Sequence, residues 1–176
     1  KGVRELMLAR AKVPSLSGIC AVVAEIINVD PEYEAALEVA LGSGAQNIVC
    51  ETDADAEAAI SYLKSRKLGR ATFLALNMIR PRALMSNEKE ILQFDGILGE
   101  ATRFVAFDEK YRNVIDYLLG RTVIAKDLLS ARNAARETGS RVTIVTLDGD
   151  IITPGGAITG GSKSERSTQL FARRRI

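Results

Sequence analysis

The order of helix caps, helix stops and strands in the first half of this chain recurs in the second half. Asp30-Pro31-Glu32-Tyr33 is matched by Asp108-Glu109-Lys110-Tyr111, and Leu41-Gly42 by Leu119-Gly120, all at one offset of 78 residues. Further on, with small gaps, Asp53 corresponds to Asp127, Ala56 to Ala131, and the strand at Arg70-Ala71-Thr72-Phe73-Leu74 to Arg141-Val142-Thr143-Ile144-Val145. Each copy reads strand, helix, strand, helix, strand. A chain of 176 residues built this way is expected to form two similar small α/β lobes rather than one large sheet.

The local signals define the first copy. Gly18 to Asn28 is an apolar, strand-rich segment broken by Glu25. Asp30 before Pro31 opens a helix, because proline is tolerated at the first helical position and acids favour the first turn. That helix presents Tyr33, Ala36, Leu37 and Ala40 on one face and stops at Gly42. Asn47 to Cys50 is a short strand. Thr52 or Asp53 caps a second helix from Ala54 to about Lys67, with Gly69 as its stop, and Arg70 to Leu76 is the next strand. Pro81, Ser86-Asn87, Gly96 and Gly99 punctuate residues 77–100, which read as a linker between lobe I (14–76) and lobe II (101–162).

The second copy carries an extra piece. After Val142-Thr143-Ile144-Val145, Asp148-Gly149 is a turn signal with Ile151-Ile152 on its far side, so this stretch reads as a hairpin. Two glycine pairs follow, Gly155-Gly156 and Gly160-Gly161, flanking Ala157-Ile158-Thr159. Paired glycines permit positive φ or the close approach of another backbone. A phosphate is one candidate for what approaches, a second protein chain the other. The spacing Gly155 to Gly160 and the position of Ser162 fit a phosphate-binding loop, but Gly161 stands where its lysine belongs. A nucleotide-binding α/β domain using this loop is therefore the alternative reading, with Asp148 and Asp150 as candidate acids against their simpler role as turn residues. A strand ending in glycines leaves a sheet edge open. If it meets the first lobe of another chain, the reciprocal contact closes a two-fold pair.

Composition narrows the function classes. The chain has no histidine, which removes the commonest general base and zinc ligand. Cys20 and Cys50 sit in apolar runs and read as reduced core residues without metal-ligand spacing. No run of 18 apolar residues is present and no signal-peptide pattern, so no membrane partner is expected. The net charge is +2, but Ser162 onward carries +4 and residues 1–161 carry −2. The mildly acidic body argues against a monomeric DNA-binding module.

The segments Asp30 to Gly42, Gly69 to Leu74, Thr146 to Asp150 and Pro154 to Gly161, in that order, resemble the hinge domain of bacterial SMC (structural maintenance of chromosomes) proteins over about residues 14–162. The resemblance implies a mixed-sheet, two-lobed domain flanked by coiled-coil roots, here 1–13 and 163–176. It implies no catalytic residue, metal or cofactor in this domain. Its function would be homodimerisation, with Gly155, Gly156, Gly160 and Gly161, and Ile158 and Thr159 between them, at the dimer interface. By the same resemblance, the ATP-hydrolysing heads lie in the far ends of a longer protein, where kleisin-type subunits bind. The protein would be cytoplasmic and associated with the nucleoid in chromosome condensation and segregation. Weak, sequence-independent DNA contact would fall to Lys163, Arg166, Arg173, Arg174 and Arg175.

Overall fold

The structure, a computed structural model, describes residues 2–162. After helix α1 (Gly2–Ala9), the first half runs β1 (Ile19–Val22), α2 (Glu34–Leu41), β2 (Ile48–Cys50), α3 (Asp53–Ser65) and β3 (Phe73–Ala75). The second half runs β4 (Ile97–Glu100), α4 (Arg112–Leu119), β5 (Thr122–Ala125), α5 (Leu128–Thr138) and β6 (Thr143–Thr146). Two further strands follow, β7 (Ile151–Ile152) and β8 (Ile158–Thr159). Sheet I has the order β1-β2-β3 and sheet II the order β4-β5-β6-β7-β8.

The repeat extends to the hydrogen-bond ladder. In both sheets the first strand pairs antiparallel with the second, and the second pairs parallel with the third. The register of β1 slips between Ile19 and Ala21, and that of β4 between Ile97 and Gly99, the same offset of 78 residues. The two copies also touch at equivalent residues. The Asn28 N–H donates to the Ala106 carbonyl and the Ala106 N–H donates back to Asn28, both at 2.9 Å. A pseudo-two-fold relation therefore passes through this bridge.

The lobes share one core. Leu37 and Leu41 of α2, Ile115 and Leu119 of α4, Val49 and Leu74 of sheet I, and Ile124 and Val145 of sheet II form one buried cluster. Each sheet has a second cluster on its other face. Ile48, Cys50 and Ala75 pack with Ala59 and Leu63 of α3 and with Leu6 of α1. Val123, Ile144 and Ile152 pack with Ala131, Ala134 and Ala135 of α5. The short helices are thus held by shared burial, since helices of eight residues have little stability alone.

Several local expectations change. Of the two candidate caps of α3, the structure selects Thr52, which accepts from the Asp55 N–H at 3.2 Å. Asp127, equivalent in role to Thr52, caps α5 through the Ser130 N–H at 2.8 Å. Asp30 makes no side-chain cap, whereas Asp108 accepts from the Lys110 N–H at 2.9 Å. Helix α3 ends at Ser65 with Lys67 in a left-handed conformation, so the chain turns before Gly69. The stretch 77–100 is more than a connector: it contains β4, and it buries Leu84 and Ile91 against sheet II. Glu88 fastens it. This buried carboxylate accepts from Arg121 Nη1 and Nη2 at 2.5 and 2.7 Å and from the Met85 N–H at 2.8 Å. Arg121 also reaches the carbonyls of Ala83 and Arg141 at 3.2 and 3.3 Å.

Two stability outcomes follow from this packing. Ile115→Ala opens a cavity in the shared core and lowers unfolding free energy by about 2–5 kcal/mol in urea titration. The Arg121 hydrogen bonds hold the Glu88 carboxyl down to about 2, well below its ordinary 4.5. Because the folded value is depressed, this stabilisation is full above the ordinary carboxylate range and is lost as pH falls from there toward 2. Glu88→Gln flattens the pH dependence of stability in that window and costs about 1–3 kcal/mol at neutral pH.

Candidate functional site

Sheet II departs from the repeat at β6, and the departure builds an exposed edge. The Asp148-Gly149 turn is a tight hairpin: the Gly149 N–H donates to the Thr146 carbonyl, the Thr146 N–H to the Asp150 carbonyl, both at 2.9 Å, and the Asp150 N–H to Thr146 Oγ1 at 3.0 Å. Strand β7 then pairs with β6, burying Ile152. Pro154, Gly155 and Gly156 reverse the chain again, with the Thr153 N–H donating to Ala157 O at 3.0 Å and the Gly156 N–H to Thr153 O at 2.8 Å. Strand β8 is the last in the sheet.

The four glycines have different physical reasons. Gly155, Gly156 and Gly161 have φ of +95°, +101° and +140°, which side chains rarely adopt. The Gly155 N–H is anchored to the Ser140 carbonyl at 3.0 Å. A Cβ on Gly160 instead meets Asp150 Oδ1 at 2.2 Å. Ile158 is 54% exposed and Thr159 is exposed with it. Ile152 stands opposite Ile158, a non-hydrogen-bonded pair next to the bonded Thr153–Ala157 pair. The Ile158 peptide N–H and C=O therefore point outward, into the open edge.

Among the described residues, sheet I has no equivalent of β7. Its last strand, β3, bonds β2 through Leu74 and its neighbours: the Ile48 N–H donates to Thr72 O and the Leu76 N–H to Cys50 O, both at 2.9 Å. Parallel alternation leaves the peptide groups of Phe73 and Ala75 facing away from β2. The Ala75 carbonyl is taken by Met78 and Ile79, at 3.0 and 2.8 Å. Among the described residues, no strand fills beside β3 the place that β7 fills beside β6. The sequence signal for this was the asymmetry of the repeat.

The features of the nucleotide alternative do not come together. The glycine segment turns from β7 into β8, and its Ile158 and Thr159 pair as a strand with β7, unlike the open loop that wraps a phosphate. Asp150 is committed to its hairpin with Thr146. No group of three or more Cys, Asp or Glu able to hold a metal occurs among the described residues. The thiols are poor nucleophiles: burial pushes Cys50 up to about 11, and burial with the Glu51 hydrogen bond also raises Cys20. Glu51 and Lys110, 2.7 Å apart, link the lobes at the surface, an exposed pair worth about 0–1 kcal/mol. Lys163, Arg166, Arg173, Arg174 and Arg175 lie outside the described residues, as does the C-terminal root from 163 onward.

Comparison with known proteins places this edge in context. Residues 16–135 match the family model of the SMC proteins flexible hinge domain. The chain is 47% identical to a chromosome partition protein Smc of Desulfitobacterium hafniense and 42% identical to that of Bacillus subtilis. In each case 99% of this chain aligns with only 15% of the relative. Among solved structures, an asymmetric dimer of the Geobacillus stearothermophilus SMC hinge domain superposes with a TM-score of 0.89 at 40% identity, covering 99% of this chain and 69% of that one. The Pyrococcus furiosus SMC hinge domain gives 0.70 at 37% identity over 91% of this chain and 88% of that one. No described helix is long and apolar enough to cross a membrane.

Gly155→Ala and Gly156→Ala each force a side chain into positive φ. Each is expected to cost about 1 kcal/mol or more in thermal or urea unfolding, while the fold persists by circular dichroism.

Proposed function

The chain belongs to the SMC hinge family, and on that premise we propose that it is the homodimerisation module of a chromosome-partitioning SMC protein, joining two long arms. The hinge is a dimerisation module of that family rather than a catalytic domain. The observation that carries the reading for this chain is the pair of unfilled edges. Strand β8 exposes a ladder edge at Ile158, and β3 lacks the neighbour that β6 has. If β8 of one copy occupies the place beside β3 of another, the reciprocal contact forms as well, and both edges are closed by two-fold symmetry. Gly155 and Gly156 shape the turn that presents β8, and Gly160 and Gly161 let the chain leave it without a side chain at the joint.

Residues 1–13 and 163–176 then serve as coiled-coil roots, with lobes I and II between them. In the longer protein, ATP hydrolysis and kleisin-type subunits belong to head domains outside this segment, and the site of action is the nucleoid. The hinge itself needs no cofactor for association. Lys163, Arg166 and Arg173 to Arg175 supply phosphate contacts to DNA, sequence-independent and weakened by salt.

Ile158→Pro tests the edge directly. Proline removes the outward N–H of Ile158, sets its ring at the open edge and leaves the β7 ladder untouched. Light scattering over a concentration series is expected to give a mass near twice 19.0 kDa for the wild type and near 19.0 kDa for the variant, with unchanged secondary structure. A wild type that is monomeric at all concentrations overturns the reading.

A further inference from the structure

The two open edges also determine how two copies must face each other, and that orientation brings two oppositely charged helix stripes together. Helix α3 connects parallel strands β2 and β3, and α5 connects parallel strands β5 and β6. Such crossovers share one hand. Viewed with its helix toward the observer and its parallel strands pointing up, each sheet therefore has its open edge, β3 or β8, on the right. Two right-hand edges meet only after one sheet turns by half a turn. Turned in its own plane, β8 runs antiparallel to the partner's β3, and both helices lie on one side. Turned over, the strands are parallel and the helices lie on opposite sides.

Side-chain placement selects the first arrangement. Phe73 and Ala75 point to the α3 side, where they pack with Ala59 and Leu63. Ile158 points to the α5 side, because it stands opposite Ile152, which packs with Ala134 and Ala135. Only antiparallel addition puts Ile158 and the partner's Phe73 on the same face. The register that sets Ile158 opposite the partner's Ala75 also sets Gly160 opposite the partner's Phe73, pairing each large residue with a small one and leaving the free Phe73 N–H and C=O to Gly160, since the Ala75 carbonyl is taken within its own chain.

A groove of about 210 Å³ runs along this face between α5 and the β7–β8 hairpin, lined by Arg132, Ala135, Arg136, Ile152 and Ile158. The two arginines thus line the groove together with Ile158 of β8, and both are exposed. Arg136 Nη2 also donates to Asn133 Oδ1 at 2.9 Å. On α3, the stripe facing the open edge is Asp53, Glu57 and Ile60, all exposed. Asp53 marks the side: its Oδ1 accepts from Asn77 Nδ2 at 2.8 Å, just beyond β3. In the antiparallel arrangement α3 and the partner's α5 run in opposite directions. Asp53 then comes level with the partner's Arg136, Glu57 with the partner's Arg132, and Ile60 with the partner's exposed Leu129. One strand spacing, about 5 Å, separates β8 from the partner's β3, within the span of an arginine side chain that shares the groove with Ile158.

We propose that Arg132 and Arg136 are specificity-determining residues of self-association, docking on Asp53 and Glu57 of a second copy of this chain and holding the joint antiparallel. This rests on the dimer reading above. The charges act at the rim of a strand-to-strand joint, where complementarity selects partner and orientation more than it adds raw affinity.

Charge reversal on each side separates the possibilities. R132E/R136E places acids opposite Asp53 and Glu57, and D53R/E57R places arginines opposite Arg132 and Arg136. Each variant alone is expected to dimerise at least about tenfold more weakly than the wild type in sedimentation equilibrium, since like charges across an interface repel. Mixed in equal amounts, they form a heterodimer in which both joints regain opposite charges, with affinity restored toward wild type. The inference is overturned if either variant homodimerises like the wild type, or if the mixture forms no heterodimer while each variant keeps its thermal melt. Were Ile158→Pro to abolish the dimer and the charge reversals to leave it intact, the edge reading would stand and the arginine role would fall. A monomeric wild type would sink both.

Discussion

The reciprocal hydrogen bonds between Asn28 and Ala106 join two residues that occupy the same position in the two copies of the repeat. Around them α2 and α4 bury Leu37, Leu41, Ile115 and Leu119 in one cluster that draws on both sheets. Neither sheet is large. One has three short strands, and several helices have only eight residues. Units of that size bury a smaller fraction of their surface and are marginal singly. Sharing one core between two copies removes that limit and makes the relative position of the lobes a property of the core, with the exposed Glu51–Lys110 pair as a minor addition.

A rigid relation between the lobes matters because the two open edges sit on different lobes. Symmetric association requires β3 and β8 to meet their counterparts at the same time. Edges on independently moving lobes would lose that reciprocity to conformational entropy. The Glu88–Arg121 clasp serves the same end at a second place, fixing residues 83–93 over the core of sheet II. Rigid scaffolding and open edges are therefore complementary features of one design: the interior is closed, and the ladder edges of β3 and β8 are left open to a partner.

The glycine segment shows how one composition serves several physical needs. Gly155 and Gly156 solve a backbone problem at the turn, while the space at Gly160 is set by Asp150. Beside them, Arg132 and Arg136 lie on the helix that covers the same hairpin, so the polar rim and the strand edge belong to one surface. Nothing in the residue letters alone connects α5 with β8. They lie about 20 residues apart and meet only because β6 and β7 carry the chain back under the helix.

The sequence by itself determined the repeat, the α/β class, the Asp148-Gly149 hairpin and the asymmetry of the second copy, because caps, turns and periodicity are local and written in neighbouring residues. It also singled out the glycine segment, and the joint order of its motifs marked the family. Other features were decided only by the tertiary structure. Residues 77–100 carry punctuation typical of a linker, yet burial of Leu84 and Ile91 and the pairing of β4 with β5 draw them into sheet II. Thr52 rather than Asp53 caps α3, because Asp53 is turned toward Asn77. The vacant place beside β3, the side on which Ile158 emerges and the helix stripes that flank it depend on crossover hand and strand alternation. Those are relations between distant segments, and no local pattern records them.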